Sequence, residues 1–407
     1  MVTPVLSAVA QAMVGSASVE NRRRADALAA AGRRIYDLGI GEPDADTPAV
    51  VKAAAHQAID RGEGHYVDPR GLQALRERIV RFERERHGLT IQPEQVVVTV
   101  GSLGALSITL CALLDPGDEV VIFEPFWGPY AGMVKLAGGV PVTVPARETA
   151  DALAPDFDAF AARLTARTRA VVLNSPNNPS GKVWSAGLLA RLANLCEARN
   201  LWIVSDEVYS ELVYDDHRHV SIATLSAAAA RRTIITTSLS KSFAMTGWRL
   251  GYCVAAPEVA AVLAKINHYT VRCATSIAQW AAIAAFDDAD RLLGGMRCLY
   301  ARRRDLVGSA FARFPEFRYR KPDGSFYAFV RLPDYLTDAR VFVERLLEEE
   351  GVVVGSGAAY GASCHRYIRL SFATDDDTIN EGIARIGNLA LRMRQPASNH
   401  VGASGRI

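Results

Sequence analysis

TTSLSKSFAMTGWR, residues Thr236–Arg249, is the stretch on which the reading of this chain turns. It closes an apolar run, passes through small hydroxyl residues and leaves through Gly247-Trp248-Arg249. At its centre stands Lys241. The 407-residue chain carries 46 lysines and arginines, of which six are lysines: Lys52, Lys135, Lys182, Lys241, Lys265 and Lys321. A chain that uses arginine almost everywhere keeps a lysine between Ser240 and Ser242. An amine condenses with an aldehyde; a guanidinium, held protonated, does not. Ser238, Ser240 and Arg249 are donors suited to a phosphate dianion. Alone, the segment also fits a surface lysine in a Ser-rich loop, so the rest of the chain decides.

The size and balance of the chain narrow the choice. With 49% hydrophobic residues it can bury a large core, and its length suggests two or three domains. A net charge of +2 with mixed signs leaves no basic footprint for nucleic acid. The six cysteines are scattered without a C-x-x-C, which points to reduced thiols and a cytoplasmic protein. The start, MVTPVLSAVAQAMVG, lacks the basic region of a signal peptide. No run approaches the roughly 18 apolar residues of a membrane span. The histidines show no metal spacing, and His217 and His219 read as solvated in a charged loop. The tail after Met393, RQPASNHVGASGRI, reads as disordered.

From about 95 to 255, short apolar runs alternate with helical ones. Strands are predicted at Val96–Val100, Val120–Phe123, Ala170–Leu173, Trp202–Ser205, Thr233–Thr237 and Tyr252–Ala255. Continuous Val/Ile-rich runs of this kind suit a mostly parallel sheet covered on both faces. In such sheets ligands bind outside the carboxyl ends of the strands. There the chain places GSLGALSIT, a small-residue turn whose helix start, at Ser102 and Leu103, suits a phosphate. It also places Trp127, able to stack on a flat ring; Asn178 in NSPNNPSG; Asp206, part-buried and in need of a cation; Tyr209, one helical turn on; and Lys241. An amine, a phosphate cradle, a stacking ring, a buried acid and a phenol together describe the needs of pyridoxal phosphate.

Outside that region, residues 16–34 read as a helix capped by Ser18 or Asn21 and closed by Gly32. A strand at Ile35–Leu38 runs into the Gly39-x-Gly41 turn, which allows close approach to a ligand. Tyr66 precedes the turn Asp68-Pro69-Arg70-Gly71. Residues 258–310 read as a long helical stretch. FRYRKPDGSFYAFVRLP reads as a hairpin turning at Asp323-Gly324, and a helix is expected over 338–350. The strand HRYIRLSFA carries Arg366 and Arg369. This composition shift marks a second, smaller α+β domain.

With GIGEPDADTP, HYVDPRGLQALR, TVGSLGAL, NSPNNPSG, SDEVY, SLSKSFAMTGWRLGY, TSIAQ, KPDGSFYAF and YIRLSFAT in order, the chain resembles the class I/II pyridoxal-phosphate aminotransferases of fold type I, typified by aspartate aminotransferase, over about Ser16–Ile386. The resemblance implies a mostly parallel seven-stranded sheet flanked by helices in a large domain at 49–295. It implies an arm and part of the small domain at 1–48, the rest of the small domain at 296–393 and a tail at 394–407. It implies an enzyme moving an amino group between an L-amino acid and a 2-oxo acid by a ping-pong route. Lys241 would hold the cofactor as a Schiff base and then shuttle the proton. Asp206 would pair with the pyridine nitrogen, and Tyr209 and Asn178 would donate to the ring oxygen. Trp127 would stack on the ring, while Ser102, Leu103, Ser238 and Arg249 hold the phosphate. Tyr66 would reach the phosphate of a neighbouring subunit in a homodimer. Arg369, helped by Asn178 and the Gly41 backbone, would take the substrate carboxylate.

Two departures stand out. Gly101-Ser102-Leu103 replaces a common G-G-K, and no basic residue lies between Gly101 and Asp115, which tilts the chain away from aspartate. Val271-Arg272-Cys273-Ala274 replaces a common S-N-P segment, so Arg272 or His268 faces either a neighbour's site or solvent. The same residues also serve other enzymes of the fold: carbon–sulfur β-lyases, cyclases resembling 1-aminocyclopropane-1-carboxylate synthase, and pathway-specific amino-acid-modifying enzymes. A non-enzymatic regulator would need an added DNA-binding segment, for which the residues before the first strand are too few.

Overall fold

A computed structural model describes residues 5–13, 15, 17–149 and 153–394. Its centre is a sheet of β1 (Val96–Thr99), β2 (Glu119–Phe123), β3 (Val140–Val144), β4 (Thr168–Asn174), β5 (Trp202–Asp206), β6 (Thr233–Ser238) and β7 (Gly251–Val254). The spatial order is β1-β7-β6-β5-β4-β2-β3. Only β7 runs against its neighbours; the other pairings are parallel. Every residue of β1, β2 and β6 is buried. Helices therefore cover both faces, which is why these strands carry few charges and read as Val/Ile/Thr-rich runs. One face packs Val96, Val98 and Ile235 against Ile79, Ala278 and Phe286. The other packs Val97, Ile234 and Cys253 against Ala105, Ile108 and Leu263.

A second sheet holds β8 (Tyr327–Arg331), β9 (Gly355–Ser356) and β10 (Tyr367–Ser371), all antiparallel, in the order β8-β10-β9. It packs with the helices Ala289–Phe311 and Asp376–Arg394 around Tyr300, Phe326, Phe372, Ile379 and Ile383. The start of the chain joins this layer: Tyr36–Asp37 pairs in parallel with Val352–Val353. Ser371 N donates to Leu38 O at 2.7 Å, so the Gly39–Gly41 turn is anchored on the second sheet.

Some expectations change. β3 was not anticipated. It is the sheet edge, partly exposed along Val140–Thr143, and its Pro141 removes a ladder donor, which masks a strand that its valines and threonine otherwise favour. The hairpin lacks its first arm: Arg318 forms only an isolated bridge to Arg331, and Gly324 bridges Val213 instead. The stretch from 258 to 310 is three helices, Pro257–Val271, Ser276–Asp287 and Ala289–Phe311. The helix over 338–350 is α-helical at Ala339–Arg345 and widens to a π-turn at Leu346–Glu350. The first long helix starts at Ala17, ahead of both expected caps, and ends before Gly32, whose φ of +85° breaks it. Arg394, read as the first residue of the tail, closes the last helix, and the rest of that tail lies outside the described residues. His219 is not solvated. Its side chain is 3% exposed, and Nε2 lies 2.9 Å from Glu207 Oε2. His217 is half exposed beside Asp323.

Candidate active site

The carboxyl ends of the central strands open on one cavity of about 210 Å³. Ser102 and Leu103 reach it from the helix after β1, Trp127 and Tyr130 from the segment after β2, and Asn174 and Asn178 from β4 and its turn. Asp206 ends β5 and Tyr209 lies in the turn after it, and Ser240, Lys241 and Arg249 come from the segment after β6. Gly39, Gly41, Tyr327 and Arg369 close the cavity from the second sheet and the turn anchored to it.

Lys241 Nζ donates to the Gly41 carbonyl at 2.6 Å. Burial lowers its pKa to about 8; Glu42 opposes that fall, while Arg249 and Arg369 add to it. Asp206 is 3% exposed, and Tyr130 donates to its Oδ2 at 2.6 Å. Val208 N donates to Oδ1 at 3.2 Å. Burial raises the carboxyl to about 6 against the pull of these donors. The cation expected beside Asp206 is not found at ion-pair distance among the described residues, so the carboxylate can still take a cationic N–H from a ligand.

Arg369 is 5% exposed. Nη2 donates to Gly39 O at 2.6 Å and Nη1 to Asn178 Oδ1 at 3.3 Å. Its guanidinium lies 4.4 Å from the Tyr327 ring centre and 5.3 Å from that of Tyr360. Its Nε is buried with no hydrogen-bond partner. A buried cation held by neutral groups, with one donor spare, is built for an anionic ligand. Tyr209 donates to the Tyr327 hydroxyl at 3.2 Å. Gly101 sits at φ +69°, and a Cβ there would meet Arg249 Nη2 at 2.8 Å. Arg249 itself adopts φ +52°. Glycine thus lets the guanidinium lie against the first turn of the helix Gly101–Leu113, whose leading N–H groups have no partners within the helix.

The cavity therefore gathers Gly41, Ser102, Leu103, Trp127, Asn178, Asp206, Tyr209, Lys241, Arg249 and Arg369. It does not include Ser238, whose hydroxyl accepts from Ser240 N at the end of β6; Ser240 lines the cavity instead. Nor does it include Tyr66, which is 78% exposed beneath the Arg272 guanidinium. Arg272 adopts φ +69° and donates to His268. Tyr130, Tyr327 and Tyr360 were missed. The partners of Tyr130 and Tyr327 lie far away in sequence, Tyr360 meets Arg369 only across the fold of the loop between them, and a lone tyrosine carries no signal of its own. The described residues hold no cluster of His, Cys, Asp and Glu fit for a metal, and no helix long and apolar enough to cross a membrane.

The donor set suits one kind of group. A partly buried amine of lowered basicity suits an aldehyde, and an unpaired buried acid suits a ring nitrogen. Arg249 against a helix start suits a phosphate, and the spare donor of Arg369 suits a carboxylate.

Comparison with known proteins bears on the same point. The family model for aminotransferase class I and II matches residues 33–386. An aspartate aminotransferase of Geobacillus stearothermophilus is 38% identical over 91% of this chain and 95% of its own length. An arginine–pyruvate transaminase of Pseudomonas aeruginosa is 39% identical over 93% and 96%. The structure of the Rhizobium meliloti aspartate aminotransferase superposes with a TM-score of 0.91 at 32% identity, covering 96% of this chain and 100% of that one. That of the Thermus thermophilus aspartate aminotransferase with maleate gives 0.89 at 35%, covering 95% and 100%. With a family match across most of its length and relatives aligned nearly end to end, the chain belongs to the class I and II aminotransferases.

Proposed function

We propose that this aminotransferase moves an amino group between an L-amino acid and a 2-oxo acid, with Lys241 as the residue that holds pyridoxal phosphate, the cofactor its family implies. When bound, that cofactor supplies an electron sink for the carbanion left when an α-proton is removed. The observation that carries the reading is the Lys241 amine, depressed to about 8, sharing one cavity with the buried Asp206 carboxylate and the Arg369 guanidinium.

Each residue then has a task. Asp206 holds a proton on the ring nitrogen. Asn178, and Tyr209 once its hydroxyl turns from Tyr327, would donate to the ring oxygen, and Trp127 would stack on the ring. Ser102, Leu103, Ser240 and Arg249 receive the phosphate, with Ser238 capping their turn. Arg369, braced by Asn178 and Gly39, takes the substrate α-carboxylate beside Gly41, and Lys241, once free, carries the proton at the α-carbon. Tyr66 and Arg272 are exposed together and stand off the cavity of their own subunit, which supports a homodimer in which they reach the neighbour's site. The small domain is read as 1–48 with 296–393 around a large domain at 49–295. The free cysteines suit a reducing, cytoplasmic setting.

The test is a half-reaction. Enzyme loaded with pyridoxal phosphate and mixed with amino acids alone should convert the cofactor to its amine form, read by absorbance. Release of ammonia and pyruvate without that conversion would overturn transamination. Borohydride trapping should place the cofactor on Lys241, and Lys241→Ala should abolish both signals.

A further inference from the structure

Tyr130 stands in the helix Pro129–Leu136, just after β2, and its partner Asp206 ends β5. Both are buried, at 3% exposure each. The hydroxyl has one hydrogen-bond partner among the described residues, Asp206 Oδ2 at 2.6 Å, and the ring meets Trp127 edge-on at 5.4 Å and 85°. One side chain thus touches the acid on the floor of the cavity and the aromatic wall beside it.

We propose that Tyr130 is a positioning residue: its hydroxyl keeps the Asp206 carboxylate ionised and fixed in direction, while its ring packs edge-on against Trp127. The direction of the bond follows from chemistry. Burial raises the phenol's pKa, and the neighbouring carboxylate raises it further, so Tyr130 keeps its proton and acts only as donor. An O–H donor favours the charged acceptor. Burial works the other way on Asp206, as does Glu207 next along the chain, while Lys241 across the cavity and the Val208 N–H favour the ion. Tyr209, one turn further on, is itself a protonated phenol. With Tyr130 on Oδ2 and Val208 on Oδ1, each oxygen has one donor fixed and a lone pair free for a ligand N–H.

The consequence for catalysis rests on the cofactor reading above; the consequence for Asp206 does not. Apoprotein labelled with carboxyl-13C aspartate is titrated by NMR, with the Asp206 signal identified by its loss in Asp206→Asn. In the wild type the midpoint should lie near 6; Tyr130→Phe, which keeps the ring, should raise it, and fluorotyrosine at position 130, a stronger donor, should lower it. Equal midpoints in all three overturn the proposal. Should Tyr130→Phe not fold, the fluorotyrosine protein decides alone.

A second measurement follows pyridoxal phosphate uptake. Losing one hydrogen bond to a charged group should weaken it by about tenfold in Tyr130→Phe, and Tyr130→His, which restores an N–H donor, should recover part of that loss. Wild-type affinity in Tyr130→Phe overturns the positioning role. Failure of the wild type to take up pyridoxal phosphate would overturn the cofactor reading instead, and the titration would still decide for Tyr130.

Discussion

The Lys241 amine donates to the carbonyl oxygen of Gly41, 2.6 Å away and 200 positions earlier in the chain. The bond ties the segment after β6 to a turn anchored on the second sheet. It also holds the amine without neutralising it, since a neutral carbonyl is the only acceptor it has among the described residues.

That arrangement sets a pH dependence. Burial lowers the Lys241 pKa to about 8, and Arg369 adds to the effect. The unprotonated amine is the nucleophile, so the rate at which the apoprotein captures pyridoxal phosphate should rise with pH through about 8 and then level off. Removing a nearby cation, as in Arg369→Gln, should move the midpoint upward. Stopped-flow absorbance on both proteins checks the direction.

Asp206→Asn keeps the shape of the cavity floor but not its charge. Borohydride should still trap the cofactor on Lys241, while kcat should fall by roughly a thousandfold, at ~1.4 kcal/mol of barrier per factor of ten. Turnover within a few-fold of wild type would exclude a charged partner for the ring nitrogen.

Arg369→Gln leaves Asn178 and Gly39 in place but removes the charge proposed to face the substrate carboxylate. Charged hydrogen bonds of this kind contribute about 3 kcal/mol, so kcat/KM should drop by roughly a hundredfold. Cofactor affinity should be nearly unchanged, and equilibrium dialysis with pyridoxal phosphate separates the two effects.

A buried ionic cluster behind the cavity floor predicts how stability varies with pH. Tyr252 donates to Glu83 Oε1 at 2.6 Å, His87 lies 3.2 Å from Glu211, and His219 pairs with Glu207, the neighbour of Asp206. Burial disfavours charge on His87, yet Glu83 and Glu211 outweigh it and raise its pKa from 6.5 to about 9. The folded state thus binds a proton the unfolded chain has released. The stabilisation is complete below about 6.5 and is lost as pH rises through about 9. Urea denaturation between those values should show stability falling with pH in the wild type and a flatter profile in His87→Gln.

How much of this could be read from the chain alone depended on distance along it. Asp206 was legible because it closes β5 after the apolar run Trp202–Val204 and Ser205, and Lys241 because it interrupts an arginine-using chain after β6. Both depend on local pattern and on the rule that strand ends carry sites. Tyr130 was not legible: its role lies in a bond to a residue 76 positions away. The same holds for Tyr327 beneath Arg369. His219 looked solvated because its neighbours are charged, but Glu207 holds it inside. The missing hairpin arm was misread because Asp323-Gly324 has the chemistry of a turn, while Lys182 and Val183 N–H claim the Asp323 carboxylate and draw the segment elsewhere.

The parallel pairing of Tyr36–Asp37 with Val352–Val353 has a mechanical consequence. With the Ser371–Leu38 hydrogen bond it ties Gly39 and Gly41 to the layer of Arg369; if the proposed domains are two jaws, these three ride on one, and Asp206, Arg249 and the Lys241 backbone on the other. Any hinge movement between the jaws would leave the fittings of each intact and change only the gap between them. The grip on a carboxylate and the placement of the amine would then tighten in a single stroke.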